Sequence, residues 1–144
     1  MMVVTYKSTD RDLSVRCDVG LHTDIERLLP YTKVDEASGI RYSGEYLLLA
    51  SKIRTFVERS LLTQERKDSD LDDILHLTAE IFSWDSPKMP QELKHLLLSK
   101  DVVDAFWQQI RSNHPDQGNF LDAFVRPIIE VGSLPHRALY SRTK

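Results

Sequence analysis

The chain has 144 residues, of which 41% are hydrophobic and 28% charged, and its formal net charge is -3. This length predicts one domain that buries roughly 68–70% of the surface exposed by its unfolded form, so the core needs neither metal nor disulfide. With only 5 Gly and 6 Pro, the composition excludes collagen-like, low-complexity and disordered classes. The slightly acidic balance gives no general attraction for nucleic acid.

The single cysteine, Cys17, excludes an intramolecular disulfide and a thiolate-rich metal site. The N-terminus lacks the basic start and the apolar run of a secretory signal. The longest apolar run, residues 46–50, is far shorter than the ~20 residues of a membrane helix. The expected location is therefore the cytoplasm, with secretion by a route that uses no N-terminal signal as the alternative, and the sequence indicates no cofactor.

The first twenty residues have the pattern of a β-hairpin. Val15, Cys17 and Val19 alternate with polar residues, which is typical of a half-buried strand, and residues 2–6 form a second β-prone run. Cys17 is expected to be buried. Because two strands alone are marginal in water, we expect this hairpin to lie on helices or to pair with another chain. A homodimer through the hairpin edge is one alternative.

The rest of the chain, residues 21–144, is predicted to form a helical body, so residues 1–144 are interpreted as a single domain with residues 1–20 as an appendage. A capping box at Thr23 and Glu26 opens a short helix, which ends at Pro30. A loop of about ten residues, 32–43, is expected next. The strongest helical pattern covers residues 44–62, where apolar residues at steps of three and four make one broad face, and this helix is expected to be central.

Two further helices are predicted after the central one. The third begins at a cap formed by Ser69 and Asp70, and the acidic cluster of residues 68–73 is interpreted as lying at its positive end. This interpretation favours a structural role for the carboxylates over a metal site or a site for a basic partner; no glycine lies among them, as an ion-binding loop requires. The fourth helix begins near Pro90.

The last two predicted helices flank residue 114. The fifth helix begins at Ser99 and stops before Pro115. Residues 117–119 are expected to form a turn, and a sixth helix is kinked or divided at Pro127 and closed by Gly132. The predicted fold class is therefore mainly α, a five- to six-helix globular domain with a short N-terminal β-hairpin.

The sequence contains no catalytic, phosphate-binding or metal-binding motif, and the expectation is a non-catalytic protein. Because active sites also gather residues distant in sequence, two alternatives stay open. One is a helical enzyme with a site across helices that draws on His22, Asp24, His76 or His114. The other is a nucleic-acid-binding protein, which requires these cations to converge on one face: Lys52, Arg54, Arg59, Arg66 and Lys67.

A tripeptide between the last two predicted helices carries a family resemblance. It reads His114-Pro115-Asp116, and Arg137 and Tyr140 follow with the spacing Arg-x-x-Tyr. Over residues 99–140 the chain resembles a divergent J-domain. The resemblance implies a co-chaperone that stimulates a heat-shock ATPase chaperone, with the three residues of the tripeptide as the essential contact.

Two residues before the tripeptide are further candidates for contact with a partner. In the family that the chain resembles, the preceding helix is basic and docks on an acidic chaperone surface, which implicates Arg111. Trp107 is adjacent to Phe106, so one of the two leaves the apolar stripe of the fifth helix. If Trp107 faces outward, it can contact a partner; the alternative is burial beneath a loop or the hairpin.

The expected function is that of a small soluble regulatory or adaptor protein that binds another protein. A degenerate J-domain-like co-chaperone is the first alternative, and the helical enzyme is the second. No residue is assigned to catalysis or to a metal, and no membrane contact is expected. The expected partner-binding residues are His114, Pro115, Asp116, Trp107 and Arg111.

Overall fold

The computed structural model of the protein describes residues 2–7, 14–19, 25–59, 64–85 and 87–130, the first two ranges by their backbone only. The chain divides into two units, residues 1–30 and residues 31–144. The boundary thus falls after residue 30, whereas the predicted hairpin appendage ends at residue 20.

The first unit contains the predicted hairpin. Strands β1 (Met2–Lys7) and β2 (Ser14–Val19) pair antiparallel, with Val4 opposite Cys17. The turn between the strands lies outside the described residues, as does the side chain of Cys17. The prediction of two paired strands before residue 20 is confirmed.

A short helix closes the first unit. Helix α1 (Ile25–Leu28) passes into a turn of 3-10 helix, Leu29–Tyr31, as expected where Pro30 removes a helical N–H. Thr23, the first residue of the predicted capping box, lies outside the described residues.

The segment expected to be a ten-residue loop is instead a second hairpin, and that expectation is wrong. Strands β3 (Thr32–Val34) and β4 (Arg41–Ser43) pair antiparallel. The Asp35 carboxylate accepts hydrogen bonds from the backbone N–H and the hydroxyl of Ser38, and Gly39 has a φ of 70°, which a glycine adopts without strain. Strands of three residues are too short to show an alternating pattern. The turn residues Asp35, Ser38 and Gly39 were therefore the one signal in the sequence that could have indicated the hairpin.

Six helices of the second unit are described. They are α2 (Glu45–Glu58), α3 (Gln64–Phe82), α4 (Gln91–Leu97), α5 (Lys100–Asn113), α6 (Pro115–Phe124) and α7 (Arg126–Ile129). Helix α2 contacts α3, α4 and α5, which confirms it as the central helix. Its buried side carries Leu49, Ala50, Ile53 and Phe56 at the predicted spacing.

Helix α3 begins earlier than predicted. Its first residue is Gln64, so Ser69 and Asp70 lie inside the helix and do not cap it. The first two turns bury the polar residues Lys67 and Asp70, which hydrophobic periodicity cannot detect. The predicted cap of α5 is confirmed, since the Ser99 hydroxyl accepts a hydrogen bond from a backbone N–H three residues later.

Helix α6 also begins earlier than predicted. Pro115 occupies its first turn, where its fixed φ suits a helix and its missing N–H costs nothing. The turn predicted at residues 117–119 is therefore wrong, because these residues are helical. The predicted division near Pro127 is confirmed, since α6 and α7 are separated at Val125; Gly132 lies outside the described residues. The fold is mainly α with a short N-terminal β-hairpin, as predicted.

Two adjacent leucines of α2 test how much of the stability comes from this core. Leu49 is fully buried, whereas Leu48 is 36% exposed. We expect Leu49→Ala to lower the free energy of unfolding by roughly 2–5 kcal/mol, because it removes contacts and leaves a cavity. Leu48→Ala changes the helix propensity of α2 by the same amount, but it should lower the free energy of unfolding by at most about 1 kcal/mol. Urea denaturation of both variants measures the difference, and equal losses would contradict the placement of α2.

Candidate functional site

The tripeptide that resembles a J-domain signature lies where α5 passes into α6. His114 is the one residue between the two helices, and Pro115 and Asp116 are exposed in the first turn of α6. The His114 side chain is only 13% exposed, and its Nε2 lies 3.8 Å from Oδ1 of Asp68. Its ring also lies 6.0 Å from the ring of Phe56, measured between centroids. Of the three residues, Pro115 and Asp116 are therefore accessible and His114 is mostly covered.

Trp107 does not face outward, so the orientation that would make it a contact residue is not the one observed. It is buried, and its Nε1–H donates a hydrogen bond of 3.0 Å to Oε1 of Glu130. The Arg126 guanidinium lies over the indole ring at 4.3 Å. Phe106, which the apolar stripe places inside, is buried as well, so both aromatic residues belong to the core. Arg111 is exposed in the last turn of α5.

The contacts of Trp107 continue into an ion-pair network at α7. Arg126 bridges Asp122 and Glu130, each four residues away. Burial alone would lower the pKa of Arg126, but its hydrogen bonds to the two carboxylates outweigh burial and raise that pKa above its ordinary value. The network is structural, because it fixes α7 against the indole ring.

The acidic cluster of residues 68–73 lies within α3 and not at its start, so the helix-dipole interpretation is wrong. Asp70 is buried and forms an ion pair with Arg59 through Oδ2. Lys52 of α2 lies 3.5 Å from Asp70 and 2.7 Å from Asp73. Burial lowers the pKa of Lys52, but the two carboxylates together raise it above its ordinary value. Asp70 and Asp73 therefore hold α3 against α2 through these ion pairs.

The cations required for a nucleic-acid-binding face are mostly engaged elsewhere. Lys52 and Arg59 hold Asp70, and Arg54 pairs with Glu58. Lys67 is buried, with its ammonium donating to Oε1 of Gln109 and lying over a phenylalanine ring of α2. Burial lowers the pKa of Lys67. Among the described residues these side chains do not converge on one exposed basic surface.

Of the residues proposed for an enzymatic site, the two that the structure describes, His76 and His114, lie apart. His76 lines an open groove of about 300 Å³ between α2 and α3, together with Leu48, Lys52, Asp73, Leu77 and Glu80. The His76 Nδ1 is hydrogen-bonded to the carbonyl oxygen of Asp72. His114 lies beside the first turns of α3, and His22 and Asp24 lie outside the described residues. In the ranges that the structure describes, no three His, Cys, Asp or Glu side chains form a group suited to a metal ion.

A cluster of phenylalanines on the surface was not expected. Phe82 at the end of α3 is 45% exposed, and Phe120 of α6 is 40% exposed. Phe124 lies between them, with ring centroids 4.8 Å from Phe82 and 4.6 Å from Phe120. Phe82 and Phe124 stand at apolar positions with helical spacing in the third and sixth predicted helices, and this pattern favours burial. Phe120 fell at the edge of a predicted turn, so only the helix register that begins at Pro115 places it beside Phe124.

These rings belong to a longer surface on two contacting helices, which we name the α3–α6 face. All of its members are exposed except Leu75 and Phe124, which are half-buried. The members are Asp68, Asp72, Leu75, Ala79 and Phe82 of α3, and Asp116, Phe120 and Phe124 of α6. The face includes one residue of the predicted partner site, Asp116.

Comparison of the chain with protein-family models, curated proteins and solved structures finds no match. Within the described part of the chain, none of the helices is both long enough and apolar enough to span a membrane. The function therefore has to be inferred from the side chains themselves.

The structural role of Asp70 can be tested by a double-mutant cycle. We expect Asp70→Asn and Arg59→Gln to show a coupling energy of roughly 1–3 kcal/mol, because the carboxylate is buried. Arg54→Gln with Glu58→Gln, an exposed pair four residues apart on α2, should couple by only about 0.3–0.5 kcal/mol. Chemical denaturation gives both energies. A coupling for Asp70 no larger than that of the surface pair would show that the carboxylate does not fasten α3.

Proposed function

We propose that the protein is a small, non-catalytic regulatory or adaptor protein of the cytoplasm, and that it binds another protein through the α3–α6 face. The observation that carries this proposal is the contact between three phenylalanines, of which two are 45% and 40% exposed. Single exposed apolar residues are common on protein surfaces. The three contacting rings instead form a contiguous apolar group, and large exposed apolar patches mark interaction sites.

Aromatic side chains suit this role for a physical reason. A phenylalanine buries a large apolar area when it is covered and loses few degrees of conformational freedom. The residues that adjoin the face in sequence are firmly packed, since Leu121 of α6 and Thr78 of α3 are fully buried. A prearranged patch reduces the cost of ordering side chains on binding.

The hairpin edge offers a second place for association. Strands β1 and β2 form a two-stranded sheet, so in the described residues each strand has one neighbour. A free edge can pair with another chain, and a homodimer through this edge is therefore a further proposal. It is independent of the α3–α6 face.

The aromatic patch is tested by truncating Phe120, one of its two exposed phenylalanines. We expect Phe120→Ala to weaken binding of the protein's partner by at least about 2 kcal/mol, roughly 30-fold, as for an interface hot spot. The free energy of unfolding should change by no more than about 1 kcal/mol, because Phe120 is already 40% exposed in the folded chain. A quantitative pulldown from extract of the protein's own cells measures retention, with Leu48→Ala as the control on another surface. Equal recovery of a stoichiometric partner by both variants would sink the proposal.

A J-domain-like co-chaperone is the second candidate function. The accessible positions of Pro115 and Asp116 at the start of α6 favour it. The partial cover over His114 argues against a direct contact by that ring. The first turns of α3 supply part of this cover, so contact by the whole tripeptide requires His114 to move.

This candidate is tested by the ATPase rate of a heat-shock chaperone. If it is correct, the unmutated protein should raise the rate, and His114→Gln should abolish most of the stimulation because the resemblance makes this residue essential. His76→Gln, a change of the same kind on the exposed side of α3, should leave stimulation intact. Absence of stimulation by the unmutated protein removes the candidate.

A further inference from the structure

The two helices of the α3–α6 face are acidic over most of their length. Residues 68–87 contain no Lys or Arg, and neither do residues 115–125. The acids of these two segments are Asp68, Asp70, Asp72, Asp73, Glu80, Asp85, Asp116 and Asp122. Any partner laid along these helices therefore meets a negative surface.

Neutralisation of these acids is uneven around α3. On the side towards α2, Asp70 and Asp73 are held by Lys52 and Arg59. On the α3–α6 face, the exposed carboxylates of Asp68, Asp72 and Asp116 form no ion pair with a lysine or arginine of the described residues. Among the described residues, the contact of these carboxylates with a basic side chain is that of Asp68 with His114, whose Nε2 lies 3.8 Å from Oδ1 of Asp68.

The order of residues along the face is also regular. Asp68, Asp72, Leu75, Ala79 and Phe82 follow one another at steps of four, three, four and three. This spacing keeps them on one side of α3 and is the spacing of a seam that packs against another helix. Asp116, Phe120 and Phe124 are spaced by four on α6.

The two helices present their acidic ends and their aromatic ends together. At one end Asp68 lies beside His114, the residue that precedes α6. At the other end Phe82 contacts Phe124. The face thus has a carboxylate end, a middle with the small side chain of Ala79, and a phenylalanine end. The stripe from Asp68 to Phe82 is about 20 Å long at 1.5 Å per residue.

We propose that the occupant of the α3–α6 face is an amphipathic helical segment of the partner protein, about four turns long. Its apolar residues pack on the phenylalanines, and its Lys or Arg residues meet the three carboxylates. A helix laid between two helices is a common mode of peptide recognition. The charge complementarity selects a basic segment over a neutral or acidic one, and it adds salt-dependent attraction. This inference rests on the proposed function, because it names the chemistry of the partner at the same face.

The charge and the apolar pattern of the occupant can be determined without identifying the partner protein. Random 16-residue peptides displayed on phage are selected on the full chain, and binders that also bind the Phe82→Ala/Phe120→Ala variant are removed. We expect the remaining peptides to carry more Lys and Arg than Asp and Glu, with apolar residues at steps of three and four. Their helical circular dichroism should rise on binding.

Charge reversal then tests the acidic end. We expect Asp72→Lys to weaken the selected peptides at least tenfold at low salt, with a smaller loss at high salt. Asp104→Lys, the same substitution at an exposed residue of α5 that pairs with Lys100, should leave binding within about twofold and serves as the control. Asp72 is exposed and lies in the interior of α3, so its replacement should not unfold the chain.

The alternative results each contradict the inference. Selected peptides without a basic excess, equal binding by the Asp72→Lys variant, or no phenylalanine-dependent peptide at all would overturn it. If sedimentation shows a dimer that Phe120→Ala dissociates, the occupant is a second copy of this chain and the inference is wrong. A natural partner that depends on Phe120 but not on Asp72 would leave the proposed function standing while this inference falls.

Discussion

The second unit is organised around the burial of one aromatic ring, that of Phe56 in α2. The ring meets Phe106 of α5 edge to face at 5.7 Å, and the ammonium of Lys67 in α3 lies 5.1 Å from its centroid. His114 borders it from the junction of α5 and α6. One side chain of α2 therefore contacts α3, α5 and the residue that precedes α6. Since α3 presents Lys67 inward here, the stripe from Asp68 to Phe82 is left on its outer side.

The sequence was sufficient to predict most of this arrangement where apolar residues repeat at helical spacing. The central position of α2, the start of α5 at Ser99 and the burial of Phe106 all follow from that rule. The predictions that were wrong have one cause in common, because polar residues or turn residues determine the structure at those positions. The early start of α3 depends on Lys67 and Asp70, which are buried by hydrogen bonds and ion pairs that periodicity does not register. The hairpin around Asp35 depends on local side-chain contacts within its turn.

The candidate site was predicted only in part, and for a related reason. Periodicity gives the apolar side of each helix but does not reveal where the neighbouring helix stops covering it. Phe82 and Phe124 fall on apolar stripes, yet α3 and α6 end at these residues, so the rings cover each other and remain open to solvent. Trp107 shows the opposite case, because the later residues Arg126 and Glu130 return to cover it. Neither outcome is encoded within a single helix.

The carboxylates of α3 fall into two groups, those that form ion pairs inside the fold and those that face solvent. Where a carboxylate faces α2, as with Asp70, cations from that helix neutralise it and the ion pairs hold the core together. Asp68 and Asp72 are equally charged, but the neighbouring helix α6 supplies no lysine or arginine. Leaving them open costs little while water solvates them, because an exposed carboxylate keeps its hydration. Stability therefore does not require a lysine or arginine beside Asp68 and Asp72. Since none of the described residues supplies one, the negative field of these carboxylates can attract a positively charged partner.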